Sequence, residues 1–291
     1  MSQFPHDEFA KEYLPELYQD YGIVEPSVDI LSEKKEVDLL FTPTKPVPTT
    51  PETLGLLGKL AHSTCLIEVY RNAVTPQQIK ECVFKLIAVQ NRDINLTKKD
   101  NIEGKPAFLW IITPTISPTL LKQFGANAKE NWEKGIYFLP EGFNSGIVAI
   151  HQLPEDRNTL WLRILGKGNK QIKAIEEVKE LPRDYPYRDS VLELVYGLLD
   201  KLETKQRQKQ IKEDEVLIMS LRQIYRDKMA EIQRESEQRG KLEGKLEGKL
   251  EGEKQGKLKT VPLLRQLGMS VEEIATRLEL PLEDVIKASQ N

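Results

Sequence analysis

The spacing of apolar residues changes along the first part of the chain, and each change predicts a new element. Residues 7–21 carry aromatic and leucine side chains four positions apart, which is the stripe of an amphipathic helix packed on a core. From residue 23 the period becomes two, which predicts strands at 23–31 and 35–41. On the second strand, this alternation puts Asp38 on the face opposite Leu39.

An apolar run at 65–71 predicts a third strand, in which Glu68 stands between Ile67 and Val69. A buried carboxylate is costly unless it is paired with a cation or binds a metal ion. Glu68 is therefore the more informative of the two acids as a candidate for function.

The segment after this strand has the signature of a helix start. Thr75 is the cap, Pro76 takes the first helical position, and Gln78 follows the cap by three residues, as in a capping box. We expect the helix to end near Arg92, before a polar loop at 93–105. The later elements predicted for this part are a central strand at 107–113, a helix from Ser117, strands at 135–139, 146–153 and 159–165, and a helix at 170–181.

Beyond residue 186 the pattern is helical, so an α/β fold with a mixed sheet flanked by helices is expected to continue into a long helical C-terminal extension. Helices are predicted at 189–205 and from 213 onward. Three short helices at 262–287 are predicted to form a helical hairpin similar to a helix-turn-helix, with Gly268 ending the first and Ser270 and Glu273 as a capping box at the second. The predicted domains are an α/β domain at 1–185, a helical segment at 186–260 and the hairpin at 261–291.

The helical segment contains a GKLE repeat, with glycine at 240, 244, 248, 252 and 256. Each glycine costs a helix about 0.8 to 1.0 kcal/mol relative to alanine, although paired Lys and Glu charges offset part of this. Packing against another helix would stabilise the segment, so we expect a homo-oligomer or a partner protein to bind through this tail. The repeat alone resembles a segment of flagellar assembly protein H, which gives a weaker alternative for function.

Composition and charge limit the classes of protein. The net charge of −3 requires that any nucleic-acid contact use a local basic patch or a bridging cation. The two cysteines have neither zinc-site nor disulfide spacing, and no apolar stretch is long enough to predict a membrane helix. The acidic start is unlike a secretory signal, so a cytoplasmic location is expected.

The predicted order of elements is helix, three strands, helix, strand, with one acid on the second strand and one on the third. This arrangement resembles the core of the PD-(D/E)XK nuclease superfamily. The N-terminal run His6-Asp7-Glu8-Phe9-Ala10-Lys11 further resembles the HDxxFK-like opening of the bacterial recombination-promoting nuclease and transposase-related family. The resemblance covers about residues 5–115 and implies a metal-dependent endonuclease that acts on DNA.

The resemblance implies that Asp38 and Glu68 hold Mg²⁺ and that a lysine two residues after the second acid assists the attacking water. Tyr70 occupies that lysine position. By strand alternation Tyr70 shares the face of Glu68, whereas Arg71 points to the opposite side and is a poor substitute for the lysine unless a bulge intervenes. We expect a lysine from the next helix, Lys80 or Lys85, to take its place. Two further residues are expected to reach the same cleft, Gln78 and, as an additional metal ligand, Glu12.

The substitution at Tyr70 leaves a second hypothesis open. The chain would then be a catalytically degenerate nuclease fold that acts as an oligomerising or partner-binding module. The surroundings of Asp38 and Glu68 distinguish the two hypotheses, because a lysine ammonium within hydrogen-bond reach of the pair favours catalysis.

Overall fold

The computed structural model describes residues 5–30, 35–100, 106–207 and 214–290. The chain divides into two compact units, Met1–Tyr225 and Arg226–Asn291. The first unit has α/β architecture, and its described residues form a mixed sheet of six strands flanked by helices.

In chain order, the strands are β1 (Gly22–Ile30), β2 (Lys35–Pro43), β3 (Cys65–Val69), β4 (Phe108–Thr113), β5 (Ile136–Phe138) and β6 (Ser145–Ala149). The helices are α1 (Pro5–Tyr18), α2 (Gly55–Leu60), α3 (Pro76–Asp100), α4 (Pro118–Gln123), α5 (Leu160–Ile164), α6 (Asn169–Lys179), α7 (Arg188–Arg207), α8 (Glu215–Gln266), α9 (Val271–Leu278) and α10 (Leu282–Ser289).

The strand order in the sheet is β1-β2-β3-β4-β6-β5. β2 runs antiparallel to both β1 and β3, whereas β3, β4 and β6 are parallel to one another. α3 connects β3 to the parallel β4, because a parallel pair needs a long crossover connection. The carboxyl ends of β3, β4 and β6 therefore share one edge of the sheet with the amino end of β2.

The two faces of the sheet bury separate hydrophobic clusters. Along β3, Cys65 and Ile67 belong to one cluster and Leu66 belongs to the other, as alternation requires. The first cluster takes its helical side chains from α1, α2 and α5 to α8, and the second takes them mainly from α3 and α4. Asp38 and Glu68 lie on strands whose buried apolar side chains belong to these two cores.

The prediction of a strand at 159–165 is wrong, because this segment contains the helix α5. All five residues of α5 are buried, including Arg163, whose guanidinium donates to Glu177 at 2.8 and 2.6 Å. A short helix buried on every side has a continuous apolar run, which periodicity does not distinguish from a buried strand.

Two predicted boundaries also change. α3 continues to Asp100, through most of the polar loop predicted at 93–105, whose last residues, 101–105, lie outside the described part of the chain. Once a helix has started, each added residue gains a backbone hydrogen bond, so polar residues extend it. The strand predicted at 146–153 ends at Ala149 and passes into a turn of 3₁₀-helix, Ile150–Gln152.

The first compact unit extends well beyond the domain boundary predicted at residue 185. α7 and the first turns of α8 bury apolar side chains in the first cluster, among them Leu198, Leu202, Leu217 and Leu221. The predicted helical segment 186–260 is thus divided between the two units, because its first part completes the core of the α/β unit.

The second unit contains the later part of α8 together with α9 and α10. Its small core is formed by Val261, Ile274, Ala275 and Val285. The first of the three short helices predicted at 262–287 is instead the end of α8, which continues through Pro262. Gly268 follows that end with a φ of +91°, and the capping box predicted at the start of α9 is present.

Within the described residues, no helix is both long and apolar enough to cross a membrane.

The capping box of α9 gives a testable prediction for the second unit. The Ser270 side chain accepts from the Glu273 N–H at 3.2 Å, and the Glu273 carboxylate accepts from the Ser270 N–H at 2.9 Å. Ser270→Ala is expected to destabilise α9 by about 1 kcal/mol, whereas Ser270→Asp keeps a capping acceptor. Amide hydrogen exchange along α9 measures the loss, and equal exchange in both variants would contradict it.

Candidate active site

The pairing of β2 with β3 brings Asp38 and Glu68 together. Leu39 pairs with Ile67 and Leu40 with Leu66, so the same register continued by one position sets Asp38 opposite Glu68. At this point the Val69 N–H donates to Asp38 Oδ2 at 2.9 Å. At the end of the β2–β3 ladder, the Asp38 carboxylate thus accepts a hydrogen bond from a backbone N–H.

Both acids are removed from water. Glu68 is 3% exposed, and the side chain of Asp38 is 17% exposed. Burial, and after it the nearby Asp38 carboxylate, raise the pKa of Glu68 to about 7, although the Lys85 ammonium acts in the opposite direction. Burial also raises the pKa of Asp38, against the effect of the Val69 hydrogen bond. Two neighbouring buried carboxylates of this kind are stabilised by a nearby cation or by protonation of one of them.

Lys85 on α3 supplies a cation. Its Nζ donates to Glu68 Oε1 at 2.8 Å and to Oε2 at 2.9 Å. Burial by itself lowers the pKa of Lys85, but the charge and hydrogen bonds of Glu68 outweigh burial, so the pKa is raised. The Lys85 side chain therefore stays an ammonium at neutral pH.

The local sequence of α3 explains why Lys85 reaches the acids. The predicted cap is present, since the Gln78 N–H donates to Thr75 Oγ1 at 3.3 Å and the Thr75 N–H donates to Gln78 Oε1 at 2.9 Å. From this start, an apolar stripe faces the sheet at Ile79, Cys82, Leu86 and Val89. Lys85 lies at the margin of the stripe, so its aliphatic part is covered while its ammonium reaches Glu68.

The other two residues expected from α3 are placed elsewhere. Lys80 is exposed, and no ion pair joins it to the acids within the described residues. The Gln78 side chain is used in the cap of the helix. Of the residues expected from α3, Lys85 alone is brought to the described pair of acids.

α1 contributes Lys11, which the sequence-based site did not include. Its Nζ lies 3.7 Å from Asp38 Oδ1 and 3.7 Å from Asp7 Oδ2. The N-terminal motif ends on Lys11, so the resemblance already contained the signal for this residue. Glu12, the expected third metal ligand, is exposed, and its carboxylate accepts from Lys201 on α7 at 3.1 Å rather than meeting the acids.

Tyr70 lies on the α3 side of the sheet, as strand alternation predicted for a residue two positions after Glu68. Its N–H donates to the Ile112 carbonyl at 2.8 Å, and its hydroxyl lies 3.1 Å from Cys82 Sγ. Burial raises the pKa of Tyr70 far above its usual value and that of the Cys82 thiol to about 12. Tyr70 is thus a neutral residue that packs against α3.

Arg71 points away from the acids, also as alternation predicted. Its guanidinium donates to the Gly166 carbonyl at 2.6 Å, to Gln171 Oε1 at 2.9 Å and to Asp214 Oδ1 at 2.7 Å. His6 Nε2 lies 3.2 Å from the second oxygen of Asp214. This network joins the end of β3 to α1, α6 and the residue before α8, so Arg71 does not substitute for the missing lysine.

The donor set suits a cation that prefers oxygen ligands and keeps several waters. Asp38 and Glu68 offer carboxylate oxygens, as Mg²⁺ sites do, and their mutual repulsion in a buried place favours a divalent ion. No group of three or more His, Cys, Asp or Glu side chains with metal-site geometry occurs among the described residues. A metal ion here would therefore have two protein ligands, with water and substrate oxygens in the other positions.

Comparison with models of protein families, with curated proteins and with solved structures finds no match for this chain.

The raised pKa of Glu68 predicts how stability depends on pH. Because the folded-state pKa of about 7 exceeds the ordinary value of 4.5, the contribution of Glu68 is full below pH 4.5 and is lost as pH rises through 7. Glu68→Gln removes this loss, so its free energy of unfolding relative to wild type should rise by up to about 3 kcal/mol between pH 4 and pH 8.

Urea denaturation across this pH range measures the difference. Glu12→Gln removes an exposed carboxylate from α1 and is the matched control, expected to keep the wild-type pH dependence. A pH-independent difference between Glu68→Gln and wild type would contradict the prediction.

Proposed function

We propose that this chain is a metal-dependent endonuclease that hydrolyses phosphodiester bonds in DNA, with Asp38, Glu68 and Lys85 at its active site. One observation carries the proposal. The Lys85 ammonium lies 2.8 and 2.9 Å from the two oxygens of Glu68, beside Asp38. Two acids and a lysine on adjoining elements are the groups that phosphodiester hydrolysis of this kind uses.

The topology supports the same proposal. α1 precedes the antiparallel strands β1, β2 and β3, after which α3 crosses to β4, parallel to β3. The acids stand on the second and third strands, in the order that the resemblance to the PD-(D/E)XK superfamily implies. The N-terminal motif contributes Lys11, which contacts Asp38.

In this proposal, Lys85 replaces the lysine that the strand lacks. What matters for charge stabilisation is where the ammonium lies, whichever element carries it. Tyr70 fills the strand position, and Lys85 approaches the same carboxylate from α3. Lys85 would orient the attacking water or stabilise the negative charge that develops on the phosphate.

Asp38 and Glu68 would hold Mg²⁺ through one or more oxygens each. When bound, Mg²⁺ lowers the pKa of a coordinated water and neutralises phosphate charge. Before the ion binds, Lys85 compensates the charge of Glu68, and Lys11 lies close enough to Asp38 to attract its carboxylate. With a Glu68 oxygen used as a metal ligand, the Lys85 ammonium would remain beside the acids and could face the substrate.

DNA contact would depend on local charge, because the whole chain carries a net charge of −3. Lys167 lies near the same edge of the sheet as the acids, and its Nζ donates to Asn72 Oδ1 at 2.8 Å. Asn72 follows β3 by three residues, so this lysine lies near the carboxyl end of that strand. Such contacts position a DNA backbone without reading its sequence.

Nicking of supercoiled plasmid by the purified chain with Mg²⁺ tests the proposal. Asp38→Asn and Glu68→Gln should abolish nicking, and Lys85→Met should slow it by about 100-fold or more, because a preorganised cation is lost. Lys80→Met is the matched control on α3 and should cut at the wild-type rate. Absence of Mg²⁺- or Mn²⁺-dependent nicking by the wild-type chain, or equal nicking by all variants, would contradict the proposal.

A second candidate is a non-catalytic nuclease-like module. It is favoured by the fact that both oxygens of Glu68 already accept from Lys85, as in a structural ion pair. In that case Lys85→Met would mainly destabilise the fold, since it leaves a buried carboxylate unpaired. Circular dichroism melting of the same variants separates the two cases, because catalysis requires lost nicking in a variant that is still folded at the assay temperature.

A further inference from the structure

The GKLE repeat gives the middle of α8 a leucine stripe, defined by Leu242, Leu246 and Leu250. These side chains are 70%, 59% and 59% exposed. A step of four residues turns an α-helix by about 400°, so successive leucines are displaced by only about 40° and form one continuous stripe. The repeat glycines, two residues from each leucine, lie about 160° away on the opposite side.

The charges of the repeat are sorted to the two sides of this stripe. Each leucine is preceded by a lysine and followed by a glutamate, which places each about 100° from it, on opposite sides. Around Leu246, Lys249 lies about 60° to one side and Glu243 about 60° to the other. One flank of the leucine stripe is therefore basic and the other is acidic.

We propose that the leucine stripe binds the same stripe of a second copy of this chain, with the two helices parallel. In a parallel pair related by a two-fold axis along the helices, each basic flank faces the acidic flank of the partner on both sides of the contact. In an antiparallel pair, lysine faces lysine and glutamate faces glutamate. The order of charges thus favours a second copy of the chain as the binding partner and a parallel direction for the two helices.

Self-association would also stabilise a repeat that is weak as an isolated helix. Its glycines weaken the helix, and no atom lies within 4 Å of where a side chain would start at Gly240, Gly244, Gly248, Gly252 or Gly256. A glycine face in open space gives the helix no packing in return. Burial of the leucine stripe against a second copy would stabilise the helix from the other side. The contact covers about three turns, so we expect a reversible dimer with a Kd in the micromolar range.

Sedimentation velocity of the full-length chain tests whether the leucine stripe binds a second copy. Wild type should shift from monomer to dimer as concentration rises from about 1 to 100 μM, the range around a micromolar Kd. Replacement of Leu242, Leu246 and Leu250 by Gln should raise the Kd by at least about tenfold, since Gln keeps helix propensity but removes apolar surface. The pair Gly244→Gln and Gly248→Gln changes the opposite side and should leave the dimer intact.

Cysteine cross-linking tests the direction. Cys65 and Cys82 are buried, so an introduced surface thiol reports on its own neighbours. Under mild oxidation, Leu242→Cys should cross-link to itself in a parallel dimer, whereas Gly244→Cys, on the other side, should not. In an antiparallel dimer Leu242→Cys would cross-link to Leu250→Cys in a mixture and not to itself.

Three results would overturn the proposal. The first is a wild-type chain that stays monomeric at 100 μM, a concentration well above a micromolar Kd. The second is a dimer that persists in the triple leucine variant. The third is cross-linking between Leu242→Cys and Leu250→Cys alone. The dimer is measured without any nuclease assay, so it stands or fails independently of the proposed catalytic function.

Discussion

Two carboxylates buried side by side repel each other, and the lysines that offset this repulsion organise the candidate site. Asp38 and Glu68 are set opposite each other by the pairing of β2 with β3, in a place where burial raises the pKa of both. The Lys85 ammonium binds both oxygens of Glu68, and Lys11 approaches Asp38 from the other helix. The arrangement depends on three parts of the fold, since the sheet register supplies both carboxylates and α3 and α1 supply one ammonium each.

Tyr70 stands at the position where the resemblance to the PD-(D/E)XK superfamily implies a lysine. Its hydroxyl contacts Cys82, which lies three residues before Lys85 on α3. Tyr70, directly after β3, thus packs against the helix turn that presents Lys85. The capping box at Thr75 and Gln78 fixes where this helix begins, and the buried stripe fixes its rotation. In the proposed active site, the ammonium next to the acids would thus come from α3 and not from the strand.

The sequence predicted the acids better than their partners, for a physical reason. A strand has a period of two, so Asp38 and Glu68 could be assigned to one face once the strands were recognised. On α3, the choice between Lys80 and Lys85 depends on how the helix is rotated against the sheet, which periodicity gives only approximately. Glu12 and Lys11 differ by one position, yet about 100° of rotation sends one to α7 and the other to Asp38. The buried helix α5 was predicted as a strand because burial on every side removes the period.

The most direct measurement is an NMR titration of the Glu68 side-chain carboxyl in the wild-type chain, in Lys85→Met and in Lys80→Met. If Lys85 compensates the buried pair, loss of its ammonium should raise the pKa of Glu68 by at least about one unit, because burial and Asp38 are then opposed only by the more distant Lys11. Lys80→Met should titrate as wild type does. An identical midpoint for Glu68 in all three proteins would contradict the account.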